Sequence, residues 1–133
     1  MDAMLAYIWV AIGGALGTSA RYWLSGVIAR SIGETFPWGT LLINISGSFL
    51  IGFVAALTGP SGRSFVGSTM RQFVMIGVCG GYTTFSSFSL QTLNLVNDGE
   101  WLRAGANITG SVVLCMIAVW SGALLAGSIN TMR

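Results

Sequence analysis

The stretch Cys79-Gly80-Gly81-Tyr82-Thr83-Thr84-Phe85-Ser86-Ser87-Phe88-Ser89 sets two glycines and a run of hydroxyls and aromatics inside an otherwise apolar segment. Backbone polar groups in hydrocarbon must be satisfied within the protein, so non-helical backbone at membrane depth is tolerated only where it is buried or lines a cavity. A membrane helix broken at this point is a place to bind or conduct a small solute.

The rest of the chain supplies the membrane. Of 133 residues, 53% are hydrophobic and only 8% charged, with a mean hydropathy of +0.76; a soluble domain carries charge on about a quarter of its positions. Four stretches, at about residues 4–27, 38–57, 72–96 and 104–129, approach or exceed the roughly 20 apolar residues a spanning helix needs. The first is too long, and too closely followed by three similar spans, to read as a cleaved signal peptide. Short connections such as Gly59-Pro60-Ser61-Gly62 and Asp98-Gly99-Glu100 join the spans. The expected fold is an all-α membrane protein, one transmembrane domain over residues 1–133, with four helices and the third broken in mid-membrane.

Charge narrows the function. The six cationic and four acidic residues lie in or near connections and span ends, and there is neither lysine nor histidine. Proton-coupled transporters use an ionisable group inside the bundle, which this pattern lacks. A nucleophile paired with a base is missing too, which argues against an enzyme, and scattered arginines make no basic patch for nucleic acid. Cys79 and Cys115 have no metal-ligand spacing and read as small apolar residues.

Arginines fall almost evenly on the two sides of the membrane: Arg63, Arg71 and Arg133 on one, Arg30 and Arg103 on the other, with Arg21 at a helix end. Orientation normally follows an excess of such residues on cytoplasmic loops. A bias near zero permits insertion both ways and pairing of opposite copies as an antiparallel dimer, or a weak preference for one orientation. Gly13, Gly17, Ala20, Ser48, Gly52, Gly105 and Gly110 would allow close helix approach, within one subunit or between two.

Polar residues inside the spans fall in stripes. Thr40, Asn44 and Ser48 are spaced by four on the second span, as are Asn107, Ser111 and Cys115 on the fourth. With Thr83, Thr84, Ser86, Ser87 and Ser89 they would form a neutral track of O–H and N–H donors able to replace water around a small ion; singly, each is as well explained by an interhelical hydrogen bond. Donors without carboxylates, with Arg21 to attract anions to a vestibule or to snorkel to headgroups, lean towards an anion. Phe85 and Phe88, three apart, can present the positive edges of their rings to it or simply pack in a core. Carbonyls freed by the break suit a hard cation or a water molecule.

Gly80-Gly81-Tyr82-Thr83-Thr84-Phe85-Ser86-Ser87-Phe88-Ser89, preceded by Trp38-Gly39-Thr40-Leu41-Leu42-Ile43-Asn44 and by Gly13-Gly14-Ala15-Leu16-Gly17 with Arg21, resembles the CrcB/Fluc family of fluoride channels across essentially the whole chain. The resemblance implies a dual-topology antiparallel homodimer in a bacterial inner membrane, with two fluoride pores each lined by both chains. It implies that Phe85 and Phe88 turn ring edges to fluoride, that Asn44, Ser111, Asn107, Thr40, Thr84 and Ser87 line the pore, and that Arg21 serves the vestibule. It also implies a central structural sodium ion held by the carbonyls of Gly80 and Thr83 from both subunits. The family's TTFSTF reads TTFSSF here, Ser87 keeping a hydroxyl. Hydrofluoric acid crosses bilayers as the neutral acid and dissociates inside, so the implied function is passive export of the trapped anion. A small multidrug exporter would need a glutamate in the first span, which holds none; a membrane scaffold would leave the two polar stripes without a purpose.

Overall fold

The computed structural model describes residues 2–60, 62 and 66–132; Ser61, Arg63 and Arg133 lie outside them. All regular structure among the described residues is helical: α1 (Asp2–Ile32), α2 (Trp38–Leu57), α3 (Ser68–Gln72), a π-helical segment (Phe73–Cys79), α4 (Gly80–Tyr82), α5 (Phe85–Asn97) and α6 (Trp101–Thr131). Four stretches, Ala3–Ile32, Trp38–Leu57, Ser68–Asn97 and Trp101–Thr131, are long and apolar enough to cross a membrane.

α1 and α6 outrun the lengths expected from hydropathy, each with 31 residues, about 46 Å at 1.5 Å per residue. The apolar pattern fades before the helix does, because helix ends are set by backbone chemistry. α1 stops where Gly33 takes φ +92°, its N–H returning to the Ala29 carbonyl at 2.9 Å. α5 ends in the same way: Gly99 has φ +77°, and the Gly99 and Glu100 N–H groups reach back to Val96 and Leu95 at 3.0 and 2.8 Å. This left-handed glycine cap satisfies the last carbonyls of a helix and turns the chain.

Packing runs in two pairs. α2 lies most extensively on α6, and α1 on the π-helical segment and α4, with α5 resting on α6. Glycines set both contacts. A Cβ on Gly13 would come within 2.7 Å of the Phe73 carbonyl oxygen, one on Gly81 within 2.5 Å of the Gly14 carbonyl oxygen, and one on Gly17 would strike the Val78 carbonyl. Gly13 and Gly17 therefore lay α1 against Gly77 and Gly81, two small pairs each spaced by four. Gly52 and Gly122 do the same between α2 and α6. In lipid, where no hydrophobic force joins helices, such close approach supplies the dispersion contact that holds them. Gly105 and Gly110 have nothing within 4 Å of an added Cβ among the described residues.

Candidate functional site

The third span is interrupted at Thr83 and Thr84, both extended (ψ 159° and 116°), between α4 and α5. Gly80 and Gly81 lower the helical preference just before, but a side chain on α2 fixes the geometry. Asn44 Oδ1 accepts from the Thr84 N–H at 2.8 Å while its Nδ2 donates to the Thr84 carbonyl at 3.0 Å. Thr84 in turn caps α5: its Oγ1 accepts from the Ser87 N–H at 3.2 Å and donates to the Ser87 hydroxyl at 3.1 Å, a side chain standing in for the missing turn.

These bonds have a consequence for the backbone. In a continuous helix the Thr84 N–H would serve the Gly80 carbonyl, and the Ser87 N–H that of Thr83. Asn44 diverts the first donor and the Thr84 side chain the second, so the Gly80 and Thr83 carbonyls are released from the helical ladder. Neighbouring groups are held down. The Thr83 N–H and hydroxyl both bond the Cys79 carbonyl, at 3.0 and 2.9 Å, and the Tyr82 hydroxyl meets Ser46 Oγ at 2.9 Å.

A cavity of about 350 Å³ opens at the interruption, lined by Asn44, Ser48, Thr84, Phe85, Phe88 and Ser111, with Cys79 and Cys115 also in its wall. The two rings stand 5.2 Å apart at 51°; Phe88 is 8% exposed and Phe85 76%. Asn44 and Ser48 from one polar stripe thus face Ser111 and Cys115 from the other across one space.

Other residues singled out from sequence lie elsewhere. Asn107, 2% exposed, is spent on a relay: its amide donates to Thr92 Oγ1 at 2.9 Å and accepts from Ser111 at 3.3 Å, while Thr92 donates to the Phe88 carbonyl at 2.8 Å. Thr40 lines a second cavity, of about 390 Å³, with Glu34, Gln91, Asn94 and Asp98. Arg21 Nε donates to the Gly81 carbonyl at 3.1 Å, beside Thr18 Oγ1 at 3.3 Å. Ser87 holds the cap, and the Ser89 hydroxyl bonds its own helix at the Phe85 carbonyl, 3.0 Å. Thr92 is absent from the stripes read in sequence, although its spacing of four from Phe88, and of eight from Thr84, marks that face of the helix.

Four helices long and apolar enough to cross a membrane define a multi-pass membrane protein, with a partly polar cavity between the second, third and fourth of these stretches. The family model for CrcB-like protein, Camphor Resistance (CrcB), matches residues 8–123, and the chain belongs to that family. It is 59% identical over 130 residues to the Fluoride-specific ion channel FluC of Opitutus terrae, covering 98% of both chains. Similarity to the proteins of the same name from Methylocella silvestris (61% identity, 96% and 97% covered) and Rhodospirillum rubrum (62%, 95% and 98%) is equally broad.

Proposed function

We propose that this protein is a passive, fluoride-selective channel of the cell membrane that lets fluoride leave the cytoplasm and so limits its toxicity. The observation that carries this is the cavity at the interruption, where Phe85 and Phe88 meet the amide of Asn44 and the hydroxyls of Thr84 and Ser111. Ring edges and the second N–H of the Asn44 amide, joined by the Thr84 and Ser111 hydroxyls when they turn away from Ser87 and Asn107, offer a small, strongly hydrated anion partial positive charge without a fixed cation to trap it. An inside-negative potential drives such an anion outwards by about 2.3 kcal/mol per 100 mV, so no coupled ion is needed.

In this proposal two copies pair antiparallel as a dual-topology homodimer, each pore lined by both chains, with the interruption at mid-membrane depth. Thr40, Asn107 and Ser87 belong to the polar track. Asn107 and Ser87 order its walls, and Thr40 opens towards the second cavity. Arg21 steadies the carbonyl of Gly81 near the vestibule. The Gly80 and Thr83 carbonyls suit a structural sodium ion, since neutral carbonyl oxygens are ligands for a hard cation and both have lost their helical donors. The bound ion would supply positive charge to join the two interruptions across the dimer axis.

The test is fluoride efflux from liposomes holding only the purified protein, followed with a fluoride electrode in the presence of a potassium ionophore, with a chloride-loaded control. Rapid fluoride loss without chloride loss is expected; no flux from folded, dimeric protein refutes the proposal.

A further inference from the structure

The two cysteines reach one cavity from different spans, Cys79 from the π-helical segment and Cys115 from α6, and Met116 adds a thioether to the same wall. Both cysteines are free thiols, Cys115 half-buried. Cys79 is 1% exposed, so the cavity is its route to anything outside. The chain has no histidine, and among the described residues no cluster of three metal-binding side chains drawn from His, Cys, Asp and Glu occurs. The donors here are soft sulfur, which selects soft metals such as Ag(I), Cu(I) and mercurials over hard cations. Ile51, Val112 and Phe85 make much of the remaining wall apolar. A neutral organometal therefore enters at little desolvation cost, whereas a charged reagent must shed its water first.

We propose that this cavity is a binding site for thiophilic metal species, Cys115 being the first thiol reached and Cys79 the second, and that occupation closes the path beside Phe85 and Phe88. With methylmercury chloride the step is a ligand exchange. The S–H and Hg–Cl bonds break, an S–Hg bond forms, a proton and chloride leave, and no atom changes oxidation state. The organomercury group then fills part of the about 350 Å³ that the two rings share with Asn44 and Ser111.

The effect on flux rests on the channel proposal; formation of the adduct does not. Full-length protein in liposomes is treated with methylmercury chloride, and fluoride efflux is compared with intact mass and peptide mapping of the same sample. The expected result is an adduct mapping to Cys115, loss of most fluoride efflux, and recovery after washing with excess free cysteine. Cys115→Ser, measured against its own untreated rate, should lose most of the inhibition, and the variant with Cys79→Ser as well should lose all of it. An untreated protein that passes no fluoride refutes the channel proposal, and the adduct map alone then decides the thiol site. The inference is overturned by folded wild-type protein that forms no adduct, by an adduct on Cys115 with efflux unchanged, or by inhibition that persists in Cys115→Ser and in the double variant alike.

Discussion

Truncating Asn44 to alanine removes the side chain that holds the interruption open. Two hydrogen bonds to Thr84 go, at 2.8 and 3.0 Å, each worth about 1 kcal/mol net. If Thr84 stays extended, its orphaned N–H costs about 1–3 kcal/mol more, for a total loss of roughly 3–5 kcal/mol. If instead the N–H turns back to the Gly80 carbonyl and the helix closes, the loss is limited to about 1–2 kcal/mol, but the released carbonyls disappear with the interruption. Either course predicts a measurable loss of stability together with loss of fluoride efflux. Equilibrium unfolding in detergent, followed by the fluorescence of the five tryptophans, gives the first quantity, and the liposome assay the second. A variant with stability within about 0.5 kcal/mol of the original, the usual scatter for an inconsequential surface change, and with normal efflux would refute the clamp.

Replacing Phe85 and Phe88 together by isoleucine should abolish efflux while leaving the dimer intact on size-exclusion chromatography; unchanged efflux would remove the rings from the mechanism. Glycines 80 and 81 should separate folding from pairing. Gly81→Val drives a side chain to within 2.5 Å of the Gly14 carbonyl oxygen and should leave little monodisperse protein, whereas a Cβ on Gly80 meets only the Met75 carbonyl, at 3.9 Å. Gly80→Val should therefore fold and pair poorly, and normal yield of the first variant or normal pairing of the second contradicts this. In dual-topology insertion, a tag at the C-terminus is reachable from both faces of the membrane; access from one face alone sinks the antiparallel dimer.

The four spans were legible because hydrocarbon imposes a length and a polarity that few other environments demand, and Trp38–Leu57 matches the expected second span at both ends. Asn44 and Ser48 could be placed on one stripe, and Ser111 and Cys115 on another, because helical spacing alone puts residues four apart on one face; that the two stripes share one cavity came from the structure. What spacing could not supply was the partner of each polar group. Asn107 looks equivalent to Ser111 in sequence, yet it is committed to Thr92. Arg21, expected from sequence at a helix end where snorkelling is the ordinary outcome, lies inside α1, which runs on to Ile32, and bonds the Gly81 carbonyl. These pairings join residues 15 and 60 positions apart, and they depend on how deeply one helix settles onto another. Gly13, Gly17 and Gly81 set that depth through backbone contact, which leaves no pattern of side-chain polarity to read. Gly80 shows the same limit from the other side. Its sequence suggests close backbone approach, but within the chain that constraint falls on its neighbour Gly81.

The exposure of Gly80 is the strongest physical reason for a second copy. An exposed phenylalanine such as Phe85 is no liability in lipid, because hydrocarbon tails are as apolar as the ring, so its 76% exposure argues little alone. A carbonyl is different. The Gly80 carbonyl has lost its helical donor to Asn44, on a residue that is itself exposed. Left against hydrocarbon, an unsatisfied backbone group costs several kcal/mol. Nothing is gained by a clamp that creates this cost unless another partner meets the oxygen. A water molecule would meet it only if water reached mid-membrane, while a cation shared with the same carbonyls of an opposite copy would satisfy both subunits at once. In the proposed antiparallel dimer, the Asn44 clamp, the released carbonyls and the paired subunits would form one device. It predicts that Asn44→Ala weakens pairing as well as efflux, even though Asn44 itself lies against Thr84 of its own chain.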